Sequence, residues 1–330
     1  MEKVDHKINL LLIPFLLLNY SCRENEAIKN IVCNVEKSID VLPDSTFMSN
    51  LRKMQLHDNW IYFIEENSRE LIRINSNLTE NIRIGSFGLG PSELIDPRNF
   101  FLQDDSAFIV DFGSMSIKCF TLENTYVNNL KIKFVSEQRI FAYNNYLYLS
   151  SFNKSTKTSL VRFPLTDRHE VTSSEFFGNS FVFDHPFQNI IRNKRDLLKG
   201  NEYFYAVSDN LPIIEKYNLK NNDLIQSYDY SFVPVIKNNI RIIESKQHNS
   251  NSYTAFIMDS YLYDDAIYLL TSQQGENFKT NLIVKVDLNP DFNLKEIYLL
   301  PGKMYTSFCV DESYFYAFNY ETSSIEKIKM

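Results

Sequence analysis

His57–Ile64 (HDNWIYFI), followed by Glu70–Ile74 (ELIRI), sets a turn ahead of an aromatic-rich strand and then a second strand of apolar alternation. The unit returns as Asp104–Asp111 (DDSAFIVD) with Ser116–Phe120 (SIKCF), and as Asn144–Leu149 (NNYLYL) with Ser159–Phe163 (SLVRF). It returns again as Gly200–Tyr205 (GNEYFY) with Ile213–Tyr217 (IIEKY), and as Asp264–Leu270 (DDAIYLL) with Leu282–Val286 (LIVKV). The sixth copy is Asp311–Tyr316 (DESYFY) with Ser324–Ile328 (SIEKI). Each copy reads as a hairpin: Asp, Asn, Gly and Glu serve the turn, and period-two alternation buries one face of each strand.

The copies begin 40 to 64 residues apart, which brackets the roughly 40–50 residues of a four-stranded propeller blade. The two widest gaps hold insertions, around Asp167–Asn193 and Val233–Ser252. A short strand candidate precedes most copies: Met54–His57, Asn99–Leu102, Arg139–Ala142, Tyr253–Ile257 and Thr306–Val310. Others follow them, such as Asn81–Ile84 and Lys295–Leu299. Four strands in each of six copies predict an all-β chain, a six-bladed β-propeller of four-stranded antiparallel blades. The last copy stops at its third strand, while Asn34–Leu42 carries Val35, Ile39 and Val41 and has no blade of its own. That segment is expected to close the last blade as an N-terminal strand, which removes an aggregation-prone edge.

Composition agrees. The chain is 44% hydrophobic and 14% aromatic, with 20 Tyr and 26 Phe against one Trp, and Tyr and Phe favour pleated, half-buried surfaces. With 8 Gly and 10 Pro it is neither collagen-like nor of low complexity. A net charge of −7 offers no basic footprint for nucleic acid and no polybasic patch for a membrane surface.

The first residues differ from the rest. Ile8–Leu18 (INLLLIPFLLL) is an apolar run of signal-peptide length, too short to span a bilayer as a helix, and later apolar runs are short and interrupted. It leads to Asn19–Cys22 (NYSC). A small residue before a cysteine after an apolar core resembles the lipobox of bacterial lipoproteins, and that resemblance implies lipidation at Cys22. Asn19 stands where that family usually has Leu, and Glu2 and Asp5 dilute the positive charge of Lys3 and Lys7. An ordinary secretory signal, or a buried N-terminal element with an incidental cysteine, are the alternatives. The expected organisation is a lipoprotein-type signal peptide over 1–22, a tether over 23–34 and the propeller over 35–330.

Cys33, Cys119 and Cys309 show no CxxC pair and no Cys/His spacing suited to a metal. Cys119 and Cys309 sit inside apolar alternation, so three free, mostly buried thiols are expected, with one disulfide plus a free thiol as the alternative.

One junction is more specific than alternation. Ile84–Pro97 (IGSFGLGPSELIDP) runs into Asn99–Gln103 and then Ala107–Asp111. It resembles the blade junction of TolB-like and NHL-like six-bladed propellers, with Gly85, Gly88, Gly90, Pro91, Glu93, Pro97 and Asp111 at the matching positions. The wider resemblance is to exported, frequently lipidated propeller proteins of Gram-negative envelopes, many with no assigned activity. It implies a lipid-anchored protein of the outer membrane or periplasm. A phosphate-loop reading of the glycines fails, because a proline and a strand follow instead of a helix and Lys-Ser/Thr. Glycine at a tight inter-blade crossing is the better explanation.

No catalytic residue is singled out. His6, His57, His169, His185 and His248 are scattered, and no nucleophile elbow is present. Some six-bladed propellers are metal-dependent lactonases or lyases with oxygen ligands around a central ion. Asp96, Asn99, Glu137 and Asp259, near inner-strand ends, are the candidates for such a site, and calcium would suit them. The leading expectation is a non-enzymatic binding or scaffold module that needs no cofactor, is a monomer, and meets the membrane only through its lipid. Loops on a rigid ring commonly carry recognition. The insertions, rich in Phe and Asn (Phe176–Phe183; Lys237–Ile240), would suit a protein or glycan partner. Such aromatics could equally cover a blade end. Finally, Asp105–Ala107 resembles a short envelope O-glycosylation motif, making Ser106 a candidate acceptor.

Overall fold

The computed structural model describes residues 28–165, 174–245, 253–274, 278–288 and 292–330. Two strands come first, β1 (Lys29–Val32) and β2 (Asn34–Ile39). Blade one follows as β3 (Leu51–His57), β4 (Trp60–Glu65), β5 (Glu70–Asn75) and β6 (Asn81–Ile84). Blade two is β7 (Pro97–Gln103), β8 (Ser106–Asp111), β9 (Ser116–Thr121) and β10 (Tyr126–Lys131). Blade three is β11 (Phe141–Tyr143), β12 (Tyr146–Asn153), β13 (Thr158–Pro164) and β14 (Glu175–Phe177). A short helix, α1 (Pro186–Ile191), leads to blade four: β15 (Arg195–Lys199), β16 (Tyr203–Ser208), β17 (Ile213–Asn218) and β18 (Leu224–Asp229). Helix α2 (Pro234–Ser245) leads to blade five: β19 (Ile257–Tyr263), β20 (Ala266–Gln273), β21 (Lys279–Asp287) and β22 (Asn293–Leu299). Blade six has β23 (Tyr305–Val310), β24 (Tyr314–Asn319) and β25 (Ser324–Lys329).

The six-bladed propeller and its closure are as expected. Strand β2 pairs antiparallel with β25, setting Val35 opposite Ile328 and Ile39 opposite Ile325, and so supplies the fourth strand of blade six. Beyond expectation, Lys29–Val32, inside the stretch read as a tether, forms β1. It runs parallel to β22, with Lys29 opposite Glu296 and Val32 opposite Leu299, so blade five carries five strands.

The core lies between blades rather than within one. Six apolar clusters fill the six junctions, each drawing on two successive blades. Strands β4, β16 and β24 are therefore buried along nearly their whole length, on both faces, which is why they read as aromatic runs. A second regularity sets the register. Tyr62, Tyr148, Tyr205, Tyr268 and Tyr316, on the second strands, stand directly opposite Arg73, Arg162, Lys216, Lys285 and Lys327 on the third strands. The phenol and the basic stem pack side by side across the ladder, the cross-strand pairing that stabilises sheets.

In blades one, two, three and five the first-to-second strand turn takes positive φ, as tight hairpins with the right-handed twist require. Asp58 and Asn59 sit at +48° and +63°, Asn144 and Asn145 at +49° and +62°. Asp and Asn tolerate that region, so the turn chemistry of the repeat is a backbone demand.

Two expectations shift. The inner strand of blade five starts at Ile257 rather than spanning Tyr253–Ile257, because Phe256 N–H donates to the Asp209 carbonyl (2.9 Å) and ties that segment to blade four. Glu175–Phe177, within the first expected insertion, is the outer strand of blade three, where Phe176 and Phe177 pack into the junctions. Both insertions do carry extra structure, α1 and α2. Pro186 opens α1 at a position where its missing N–H costs nothing, and the His185 ring accepts Phe187 N–H (3.3 Å). Among the described residues no helix is long and apolar enough to cross a membrane.

Candidate functional site

The six inner strands β3, β7, β11, β15, β19 and β23 neighbour one another around the axis. The end where they begin is termed the upper face. The crossovers between blades and the turns joining second to third strands lie there, and the first-to-second strand turns lie at the lower face.

Four inner strands share a device near their start. The ladder slips between Arg52 and Gln55, between Pro97 and Asn99, between Ile257 and Asp259, and between Tyr305 and Ser307. Each slip is a bulge, which re-aims a side chain. The side chains at these slips, Lys53, Asn99, Asp259 and Ser307, all join buried polar contacts at the centre of the ring. Lys53 adopts φ +54°, a strained value for a residue with a Cβ.

Around them a buried charge network connects the blades. The Arg139 guanidinium grips Asp259 with two hydrogen bonds, 2.9 Å from Nε and 2.7 Å from Nη2, and also donates to the Phe308 carbonyl (3.1 Å). Asp259 further accepts from the Ser307 hydroxyl (2.7 Å) and from Phe308 N–H (3.2 Å). Asp196 accepts from Arg139 N–H (2.7 Å) and from the Ser260 hydroxyl (2.9 Å). The Lys53 ammonium sits 3.3 Å from Asp196 and 3.8 Å from Asp259. Asn99 donates to the carbonyls of Ser136 (2.9 Å) and Gln138 (2.5 Å), holding the crossover that carries Arg139. All six blades contribute, two cations face two carboxylates, and the ring is knit at its centre. Burial works to raise the Asp196 carboxyl, but Lys53 and Arg139 outweigh it and hold the pKa below the ordinary value.

Above this network, on the upper side, lies a further carboxylate, the half-buried Asp209. Asp209 accepts from the Tyr253 hydroxyl (2.9 Å) and the Asn210 amide (2.5 Å). Burial pushes its pKa up, and the neighbouring Asp196 adds to the shift. Beside it, Arg195 is fully buried 3.5 Å from Glu215 and lies over the Phe181 ring, while Arg192 stacks on Phe183 at 4.1 Å. Two phenylalanines of the first insertion therefore support cations, and Val182 between them stands exposed.

The four residues named for a central ion are not gathered into one site. Asp259 and Asn99 reach the centre, but both Asp259 oxygens are engaged and Asn99 is committed to the crossover. Asp96 pairs with Arg98 (2.7 Å), and Glu137 lies at the mouth 3.8 Å from Arg52. Among the described residues no group of three or more His, Cys, Asp or Glu is arranged to hold a metal. His57 lies 3.4 Å from Asp58 and His185 caps α1; His6, His169 and His248 lie outside the described residues, as does Cys22.

The junction motif is brought together as one knot. Gly85 takes φ +77° and donates to Asn124 (2.8 Å), and Gly90 N–H donates to the Glu93 carboxylate (2.7 Å). A Cβ on Gly88 would overlap that carboxylate, which explains the glycine. Asp111, fully buried, accepts from Asp96 N–H (2.7 Å), Ile95 N–H (3.2 Å) and the Ser114 hydroxyl (2.6 Å), pinning the loop to blade two. Pro97 is buried at the start of β7, and Pro91 stays exposed. Ser106 is half-buried at the start of β8, and its hydroxyl faces Cys119. The three described cysteines are free and buried, and burial pushes the Cys33 thiol up to about 11.

The two faces differ in what they expose. Among the described residues, large exposed apolar side chains fall on outer strands or at the upper face. Phe47 is 77% exposed, Leu89 85% and Val182 74%, in three different crossovers, and Phe87, Phe187 and Phe278 share that face. The lower-face turns carry carboxylates instead: Asp58, Asp104, Asp105, Glu202, Asp264, Asp265, Asp311 and Glu312.

Arg139, Lys53, Asp196 and the Asp209–Tyr253 pair were not signalled in the sequence as site residues. The signal available was a charged residue inside an inner strand of apolar alternation, as in Leu51–His57 and Arg195–Lys199.

No protein-family model matches the chain, and no curated protein matches it. Among solved structures it is similar to a Bacteroides fragilis NCTC 9343 protein named "Putative exported protein", with 13% identity and a TM-score of 0.60, over 92% of this chain and 99% of that one. It also resembles a catalytically inactive virginiamycin B lyase from Staphylococcus aureus with quinupristin, at 11% identity and a TM-score of 0.47, over 86% of this chain and 81% of that one. The lyase is too distant in geometry to bear on this chain, and the first likeness speaks to the fold alone.

Proposed function

We propose that the chain is a binding module of the bacterial cell envelope that engages a protein partner through its upper face. The observation that carries this is the segregation of exposed Phe, Leu and Val side chains onto that face, at the tips of connections held by a rigid ring. Leu89 stands between Gly88 and Gly90 on the Asp111-pinned junction, a preorganised apolar tip of the kind that fills a partner's pocket. The envelope location draws on the apolar run and the lipobox-like Ser21–Cys22, and Gly85–Pro97 supports a TolB-like or NHL-like ancestry. Lipidation at Cys22 and glycosylation at Ser106 belong to the same reading.

The test is recovery of co-purifying proteins from native membranes with the wild-type chain and with the pair Phe87→Ser and Leu89→Ser. Leu89 is exposed and Phe87 meets the Arg69 guanidinium over its ring at 4.5 Å, an exposed contact of about 0.5–1 kcal/mol, so the melting temperature shifts little while the specific partner is lost. Identical recovery by both chains would overturn the proposal. The alternative, a calcium-dependent lactonase or lyase, is separated by assaying lactone turnover with and without calcium.

A further inference from the structure

On the lower face, away from the proposed partner surface, blades four and five part to form a groove of about 710 Å³. Its blade-four wall carries Lys199 and Lys216 together with the Glu202 carboxylate, its blade-five wall carries Asp264 and Asp265, and Tyr203, Tyr205, Leu262 and Leu288 are among the other lining residues. Opposite charges across a gap ordinarily close on each other. Here they do not. Lys216 Nζ lies 4.0 Å over the Tyr203 ring and Lys199 Nζ 5.9 Å over the Tyr143 ring. The carboxylates of Asp264 and Asp265 have no hydrogen-bond or salt-bridge partner among the described residues.

The two turns explain why the walls stay apart. Asp264 takes φ +52° in the tight turn after β19, and Gly200 N–H bonds the Tyr203 carbonyl (2.9 Å) in the turn after β15. Each wall is fixed by its own hairpin, so neither can swing across. Beyond Asp264 and Asp265 a smaller hollow of about 340 Å³ continues towards blade six, where Lys285 lies 3.8 Å from Asp287 and Asp311 and Glu312 add further carboxylates.

We propose that this groove binds a small zwitterion, its anionic group held between Lys199 and Lys216 and its ammonium against Asp264 and Asp265. The volume is that of a small-ligand site. The Tyr203 and Tyr205 rings give the intervening chain an apolar surface, and the second hollow accommodates a further cationic group. Two sources share this chemistry, a short peptide with free termini and a phosphoethanolamine head group.

The test is isothermal titration of the full chain with the tripeptide glycyl-glycyl-lysine, with its N-acetyl and C-amide forms, and with phosphoethanolamine. The free tripeptide binds, and each cap weakens it about tenfold, the size of one charge-assisted hydrogen bond. Lys216→Gln weakens the free peptide to the level of the amide and removes sensitivity to that cap, and Asp265→Asn does the same for the acetyl cap. Phosphoethanolamine binding with the same two losses assigns the groove to a head group. No binding by either probe at millimolar concentration overturns the proposal, as does binding indifferent to both variants. Neither result touches the upper-face reading, which rests on other residues.

Discussion

The charges at the axis and those in the lower-face turns are the same side-chain types in opposite circumstances. At the axis, Asp196 and Asp259 are buried and each is answered by a cation and by hydroxyl or amide donors. In the turns, Asp264 and Asp265 are exposed and, among the described residues, unanswered. Burial makes the first pair expensive to disturb, because a stranded charge inside the ring cannot recover its hydration. Solvent makes the second pair nearly free to alter for the fold, and therefore available for a ligand. A carboxylate's place in a propeller, more than its identity, decides whether it holds the structure or faces outward.

The sharpest way to break this contrast is Arg139→Met, which strands Asp259 while filling similar volume. The expected loss is about 3–5 kcal/mol, read as a lower urea midpoint at unchanged slope. A loss below about 1 kcal/mol, typical of an exposed pair, would mean the axis carboxylate is solvated like those in the turns.

Asp196→Asn comes next, at about 1–3 kcal/mol near neutral pH. Its pH profile sharpens the comparison. A carboxyl whose pKa is lowered in the folded state stabilises above its unfolded value of about 3.9 and loses that contribution as pH falls towards the lowered value. The gap between wild type and Asp196→Asn should therefore narrow below about pH 4, measured by thermal melts across the acid range. A gap that stays constant there would contradict the assignment.

Asp264→Asn marks the other end. Asn accepts the positive φ of that turn, so stability should change by less than about 0.5 kcal/mol. A larger loss would place Asp264 in an interaction that holds the fold.

The architecture was largely legible in the sequence because it is repetitive: six hairpins announce six blades, and the unpaired Asn34–Leu42 announces the closing strand. Strand β1 was not, since Lys29–Val32 is four residues long, adds in parallel at an outer edge, and has neither turn nor repeat to mark it. The helices α1 and α2 fall in the stretches recognised as insertions, where no period gave their conformation away. Of the site, Asp259 and Asn99 were placed near the axis from their positions in inner strands. Their partners were hidden by distance along the chain, for Arg139 and Asp259 lie 120 residues apart. Bulges such as the one at Lys53 also defeat a strict period-two reading of which face a side chain takes. The pairing of tyrosines with basic residues one strand on was present in every quoted repeat but one. It could have fixed the register.

The closing strand has a consequence for how the molecule is made. Asn34 pairs with Lys329, so β2 is made ahead of all six blades and finds its partner only once the last of them has been made. Until then both β2 and the edge of blade six are unsatisfied templates for other strands, and a ring joined by such distant residues folds slowly. The feature that leaves the finished ring without an open seam makes its assembly the period of greatest exposure, when a holdase or chaperone would matter most.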